Sequence, residues 1–209
     1  MSKTNDRAES QKSSDAIAML KSDHENVKEL FTQFEEAESQ DDKDNIIEQA
    51  IEELKIHAQI EEEIFYPAVR GEVDEDIMNE ADEEHHVARM LIAELDANEG
   101  GDDERRNAKF TVLAESVRHH IKEEESEMMP KAKKANIDFQ DLGTQMMERK
   151  NELQENGVPE DDEHQLIAGN SGSNRSGRSK TRASSERTQV AAGSRKSSSK
   201  AAAKAKQTS

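Results

Sequence analysis

Apolar side chains recur along this chain at steps of three and four, the spacing that lines one face of an α-helix. Ile17, Leu20, His24, Val27, Phe31 and Phe34 form the first stripe, with Ser13, Ser14 or Asp15 placed to cap it. The run from Ser39 to Asp42 is expected to break it. A second stripe reads Ile47, Ala50, Leu54, His57, Glu61, Ile64 and Ala68, with Pro67 expected to mark its end. After a polar loop from Gly71, a third reads Met78, Ala81, His85, Ala88, Ile92 and Leu95, which Gly100 and Gly101 should terminate, leaving Asp102 or Asp103 to cap the next. Phe110, Leu113, Val117, His120, Glu124 and Glu127 line the fourth, which should stop before Pro130. A shorter pattern, Phe139, Leu142, Met146 and Met147, predicts a fifth helix against an end of the others. Together these predict an all-α, up-down-up-down four-helix bundle with a short extra C-terminal helix.

The pattern repeats. His57-Ala-Gln-Ile-Glu61-Glu62-Glu63-Ile-Phe-Tyr-Pro67 matches His120-Ile-Lys-Glu-Glu124-Glu125-Ser-Glu-Met-Met-Pro130, with Glu four residues and Pro ten residues after His in both copies. Each copy follows a helix that carries an acid-His pair, Asp23-His24 or Glu84-His85. The chain reads as one helical hairpin used twice.

Composition divides the 209 residues unevenly. Residues 1–14 are polar and expected to be disordered, 15–156 form the helical domain, and 157–209 are rich in Ser, Ala and Lys and expected to be disordered. From Asn170 to Ser209 ten Lys and Arg face one acid, Glu186, so this tail carries +9 within a chain of net charge −18. The remainder is strongly acidic. Such a tail is suited to sequence-indifferent nucleic-acid binding, or to solubility alone, and its lack of aromatic residues excludes base stacking. With no Cys, disulfides, thiolate metal sites and thiol catalysis are excluded. The polar N-terminus has no signal-peptide pattern and no apolar run approaches the ~20 residues of a membrane span, so a cytoplasmic location and no membrane partner are expected.

Six polar residues interrupt the apolar seams: His24, His57, Glu61, His85, His120 and Glu124. A carboxylate buried in a seam without a partner costs several kcal/mol. A metal ion removes the conflict, because it supplies the positive charge that neutral imidazole and ionised Glu both accommodate. His57/Glu61 and His120/Glu124 are i, i+4 pairs on one helix face, and all four histidines fall at similar heights in an antiparallel bundle. Imidazole and carboxylate without sulfur suit iron, manganese or zinc. Four histidines and two glutamates exceed one tetrahedral zinc and fit two ions bridged by the glutamates. His86 and His119 lie off the seam, His164 lies in the tail, and Glu62, Glu63, Glu123 and Glu125 read as a solvated acidic face from which one member could hydrogen-bond a ligand imidazole. Phe65 and Tyr66 read as packing.

In these segments, DHENVKELF, HAQIEEEIFYP, EEHHVARMLIAEL and HHIKEEESEMMP, the sequence resembles the hemerythrin-like HHE cation-binding family over about residues 15–150. The resemblance implies a non-haem centre of two iron ions with His24, His57, Glu61, His85, His120 and Glu124 as metal ligands. Oxygen-carrying hemerythrins add a third-helix histidine four residues after the first, where this chain has Arg89. Their fourth-helix carboxylate lies five residues after its histidine, which makes Glu125 the fallback to the seam position Glu124. The expected function is therefore binding of a small ligand at iron (oxygen, peroxide or nitric oxide) for sensing or buffering, or the buffering of iron itself. The alternatives are an enzyme consuming peroxide or nitric oxide, and a DNA-associated protein in which the metal stabilises the fold. A ferritin-like oxidase requires two Glu-x-x-His motifs, and Glu83 to His86 supplies one.

Overall fold

A computed structural model describes residues 15–97 and 102–159. The expectations for residues 1–14, for Gly100 and Gly101, and for the basic tail from residue 160 onward lie outside the described residues. No strand occurs among the described residues. Helix α1 spans Ala16–Glu36 and α2 spans Gln40–Ile60. α3 spans Glu75–Ala97, α4 spans Asp103–Glu123 and α5 spans Phe139–Asn156. α1 packs on α2 and α3 on α4, and contacts of α1 with α4 and of α2 with α3 close the bundle.

Side chains at the helix starts satisfy the backbone N–H groups that a first turn leaves free. Asp15 accepts from Ala18 N, Ser39 from Asp42 N, and Asp102 from Arg105 N. The run after Ser39 is thus the first turn of α2, where Asp41 and Asp42 oppose the positive end of the helix dipole, and the connection from α1 is shorter than the polar run suggests.

Neither Pro67 nor Pro130 ends its helix. α2 widens into a π turn over Glu61–Phe65, closed by Tyr66 N–H donating to Glu61 O, and continues as Tyr66–Val69. α4 does the same over Glu124–Met128, with Met129 N–H donating to Glu124 O, and continues as Met129–Ala132. Proline lacks an N–H and its ring clashes with the carbonyl four residues earlier in a regular helix. The extra residue of a π turn accommodates both problems without breaking the rod. Each π turn opens on one of the two seam glutamates.

α5 is longer than its apolar pattern suggested and lies against α1, α2 and the first π turn. Leu142, Met146 and Leu153 bury its inner face, Asp138 caps its start, and Gly157 closes it at φ 81°, which only glycine adopts freely.

The core has two parts. One gathers Ile17, Leu20, Ile60, Phe65, Met78 and Met128, with the inner face of α5. The other gathers Val27, Phe31, Ile47, Leu95, Phe110 and Leu113, with Phe110 edge-on to Phe31 and Phe34 at 5.8 and 4.7 Å between centroids. Each such buried side chain contributes about 1.5–3 kcal/mol. Between the two lies the layer of histidines and glutamates.

Candidate metal centre

The six seam residues converge, and all are buried. Glu61, fully inaccessible, sits at the middle and faces both ways: Oε1 lies 3.3 Å from His57 Nε2 and Oε2 lies 3.4 Å from His85 Nε2. Glu124 Oε2 lies 3.2 Å from His24 Nε2 and 3.8 Å from His120 Nε2. Two groups of donor atoms result, each compact enough to surround one ion: His24, His57, Glu61 and Glu124, and Glu61, His85 and His120. Glu61 belongs to both.

A ring of carboxylates stands behind the imidazoles. Glu125 Oε1 is 3.0 Å from His24 Nδ1, Glu62 Oε1 is 2.8 Å from His85 Nδ1, and Glu84 Oε2 is 2.8 Å from His120 Nδ1. Asp23 Oδ2 faces His57 Nδ1 at 3.7 Å, an ion-pair distance too long for a hydrogen bond, while its other oxygen accepts from Lys150 on α5 at 2.6 Å. Every acid adjoins a seam ligand candidate in sequence yet serves the histidine of the next helix: α1 serves α2, α2 serves α3, α3 serves α4, and α4 returns to α1. A carboxylate at Nδ1 fixes the proton there and turns the Nε2 lone pair inward.

The charges are mutually supporting. Burial by itself lowers the pKa of His57, but the charge of Glu61, with Asp23 and Glu124, drives it up to about 10. His85, also desolvated, is held at about 9 by Glu61 and Glu62. Burial would raise Glu61, and His57 and His85 overcome it, so this carboxylate is held well below its usual range. In the metal-free layer His57 and His85 are thus imidazolium groups set against the Glu61 carboxylate.

A cation fits this donor set. His24 Nε2, His57 Nε2, both oxygens of Glu61 and Glu124 Oε2 are buried without a hydrogen-bond partner. Buried polar atoms are rarely left unpaired, and the residues that carry these belong to the two donor groups.

Tyr66, read from sequence as packing, belongs to the layer. Its hydroxyl donates to Glu124 Oε1 at 3.1 Å and lies 3.1 Å from His85 Nε2 and 3.4 Å from His120 Nε2. Burial first, and then the charges of Glu124 and Glu61, hold its pKa well above the ordinary value. The π turn carries this side chain inward at a position where regular 3.6-residue periodicity leaves it beside the stripe. Of the acidic face from which one member was expected to hydrogen-bond a ligand imidazole, two do so, Glu62 and Glu125, while Asp23 and Glu84 enter the sequence reading only as the acids of the acid-His pairs. The signal shared by all four is adjacency to a seam His or Glu.

His86 and His119 are exposed, as their off-seam positions predicted, and His164 lies outside the described residues. Arg89, at the position where oxygen carriers place their extra histidine, instead pairs with Glu62. Beside the layer is a cavity of about 320 Å³ whose walls include Val27, Leu54, Ala88, Ile92, Val117 and Ile121, and which all four seam histidines also line.

Comparison with known proteins agrees with this geometry. A DNA nickase of Nostoc sp. strain PCC 7120 is 28% identical over 108 residues, an alignment covering 52% of this chain and 30% of that protein. The chain therefore spans less than a third of that relative's length. No solved structure matches. The sequence profile of the hemerythrin HHE cation binding domain matches residues 15–132, and with that the four-helix bundle and its buried His and Glu layer place the chain in the hemerythrin HHE cation-binding family.

Proposed function

We propose that the chain is a non-haem di-iron protein of the cytoplasm that senses or buffers oxygen, peroxide, nitric oxide or iron. In this reading His24, His57, Glu61 and Glu124 hold one ion, and Glu61, His85 and His120 hold the other, with Tyr66 and Glu124 beside it. The observation that carries it is the division of Glu61, one oxygen toward His57 and the other toward His85. Iron supplies the capacity to bind or exchange electrons with these small ligands. The protein's own contribution is to orient Nε2 of His24, His85 and His120 through an outer carboxylate, to keep bulk water from the layer, and to offer an apolar-walled cavity beside it. Arg89 in place of a further histidine leaves the second group with fewer imidazoles than an oxygen carrier, which favours sensing or buffering over reversible transport.

The test is anaerobic iron loading followed by metal analysis and absorption spectra before and after oxygen, peroxide and nitric oxide. Two irons per chain and a ligand-dependent spectral change are expected. One tightly held zinc with no uptake of iron would refute the reading, and multiple turnovers of peroxide or nitric oxide would move it to the catalytic alternative.

A second reading rests on a different observation. The +9 segment after Gly169 and the similarity to a region of a protein named DNA nickase favour association with nucleic acid through the tail.

A further inference from the structure

A third cluster of donor atoms lies outside the buried layer, at the surface where α3 and α4 meet. Glu84, His119 and Glu123 each offer one atom, all within 4.8 Å of one another. His119 Nε2 is 3.2 Å from Glu123 Oε1 and 3.8 Å from Glu84 Oε1. First-row divalent ions bind imidazole nitrogen and carboxylate oxygen at ~2.0–2.2 Å, so donors around one ion stand ~3–4.4 Å apart. The two separations from His119 fall in that range.

A small crevice of about 30 Å³ adjoins this cluster, the space of roughly one water molecule or one ion. Glu80, Glu84, Glu123 and Glu127 line it, and so do His120 and Glu124 of the buried layer. Glu124 is only 1% exposed, and its Oε2 has no hydrogen-bond partner. The crevice therefore joins an exposed donor set to a buried carboxylate, one oxygen of which has no hydrogen-bond partner. Glu84 also links the two physically, since its Oε2 holds His120 Nδ1 while its Oε1 faces His119.

We propose that Glu84, His119 and Glu123 form an exchangeable surface site for a first-row divalent cation, from which the ion passes along the Glu80–Glu127 crevice to the buried layer. The imidazole selects borderline ions such as Fe²⁺, Mn²⁺, Co²⁺ or Zn²⁺ over Ca²⁺ and Mg²⁺. His119 is 59% exposed on its side chain, so water completes the coordination and the ion leaves readily. The delivery role rests on the buried centre proposed above. The surface site does not.

Metal-free full-length protein titrated anaerobically with Co²⁺ tests the site, and the rate of Fe²⁺ uptake tests the delivery. His119→Ala and Glu123→Gln are the variants, both at accessible positions on α4, and helicity by circular dichroism confirms that each is folded. The wild type should bind one weak Co²⁺ more than either variant, and both variants should fill the buried centre several-fold more slowly to the same final iron content. Equal Co²⁺ stoichiometry in all three proteins overturns the site. Loss of the weak ion with an unchanged filling rate overturns the delivery role. A chain that keeps His119-dependent Co²⁺ binding but takes up no buried metal supports the surface site while refuting the di-iron reading.

Discussion

Glu62 Oε1 lies 2.8 Å from His85 Nδ1 although 23 residues separate the two in sequence. The preceding residue, Glu61, lies against Nε2 of the same imidazole at 3.4 Å. Two consecutive glutamates in a π turn thus reach opposite nitrogens of one ring. The outer one holds the ring at Nδ1 and the inner one lies against its inward-facing Nε2.

Removing an inner donor should cost metal directly. His57→Ala, His120→Ala and Glu61→Ala are each expected to lower iron content below two per chain, while His164→Ala should leave it unchanged. Metal analysis after identical anaerobic loading reads the difference. Damage from His86→Ala in place of His57→Ala or His120→Ala would mean that the donors lie off the seam.

Removing an outer acceptor should cost less but in the same direction. Glu84→Gln or Glu125→Gln keeps the shape of the side chain and removes its charge, and loss of such support typically lowers metal affinity about 10–100-fold. Competition with a chelator measures it. Unchanged affinity in both variants would show that the ring does not tune the inner donors.

Protons and metal should compete for the layer. The stability that His57 and His85 give the metal-free protein is fully present below the ordinary value of 6.5 and is lost as pH rises through about 9 to 10. Glu61, shifted the other way, contributes above its ordinary value of 4.5 and loses that contribution as pH falls through its lower folded value. Denaturant unfolding of the metal-free chain should therefore show its largest stability between these limits. Since both histidines must give up a proton to bind an ion, loading at neutral pH should release protons and affinity should climb with pH toward 9 to 10. Calorimetry in two buffers of different ionisation enthalpy detects the release, and its absence would contradict the imidazolium assignment.

Tyr66→Phe should leave Glu124 Oε1 buried without its donor, a loss of about 1–3 kcal/mol for such a group. The metal-free variant is expected to unfold at lower temperature, a shift that a merely space-filling ring would not produce.

The tail makes a separate expectation from charge alone. Full-length protein should bind DNA with little sequence preference and a steep salt dependence, and a chain ending at about residue 165 should lose that binding while keeping its iron. Titrations at two salt concentrations decide it, with equal DNA affinity of the two proteins as the contrary result.

Much of this architecture is legible in the sequence because a bundle writes its core at a fixed period. His24, His57, His85 and His120 occupy stripe positions that water-excluding packing would otherwise give to Leu or Ile. What periodicity conceals is whatever departs from 3.6 residues per turn. Pro67 and Pro130 read as stops, and the π turns that let the helices pass them shift the following residues around the axis. Tyr66 is carried into the layer by that shift. The outer acids are hidden for another reason: each lies off its own helix's seam and acquires meaning only from the neighbouring helix, which no single-helix pattern records. α5 was underestimated because its last buried contact, Leu153, comes a full two turns after the preceding one, Met146.

The closed order of the acid ring has a consequence for how the domain is put together. Within each hairpin, the first helix serves the second: Asp23 faces His57 and Glu84 holds His120. Between hairpins the service is reciprocal, Glu62 going to His85 and Glu125 returning to His24. Neither hairpin owns a complete donor group, since Glu61 of the first and Glu124 of the second each face histidines of both. The two halves therefore depend on each other: each supplies the other with one outer acid and with one inner glutamate. Cleaving the chain between α2 and α3 would leave two pieces, neither of which carries a complete donor group.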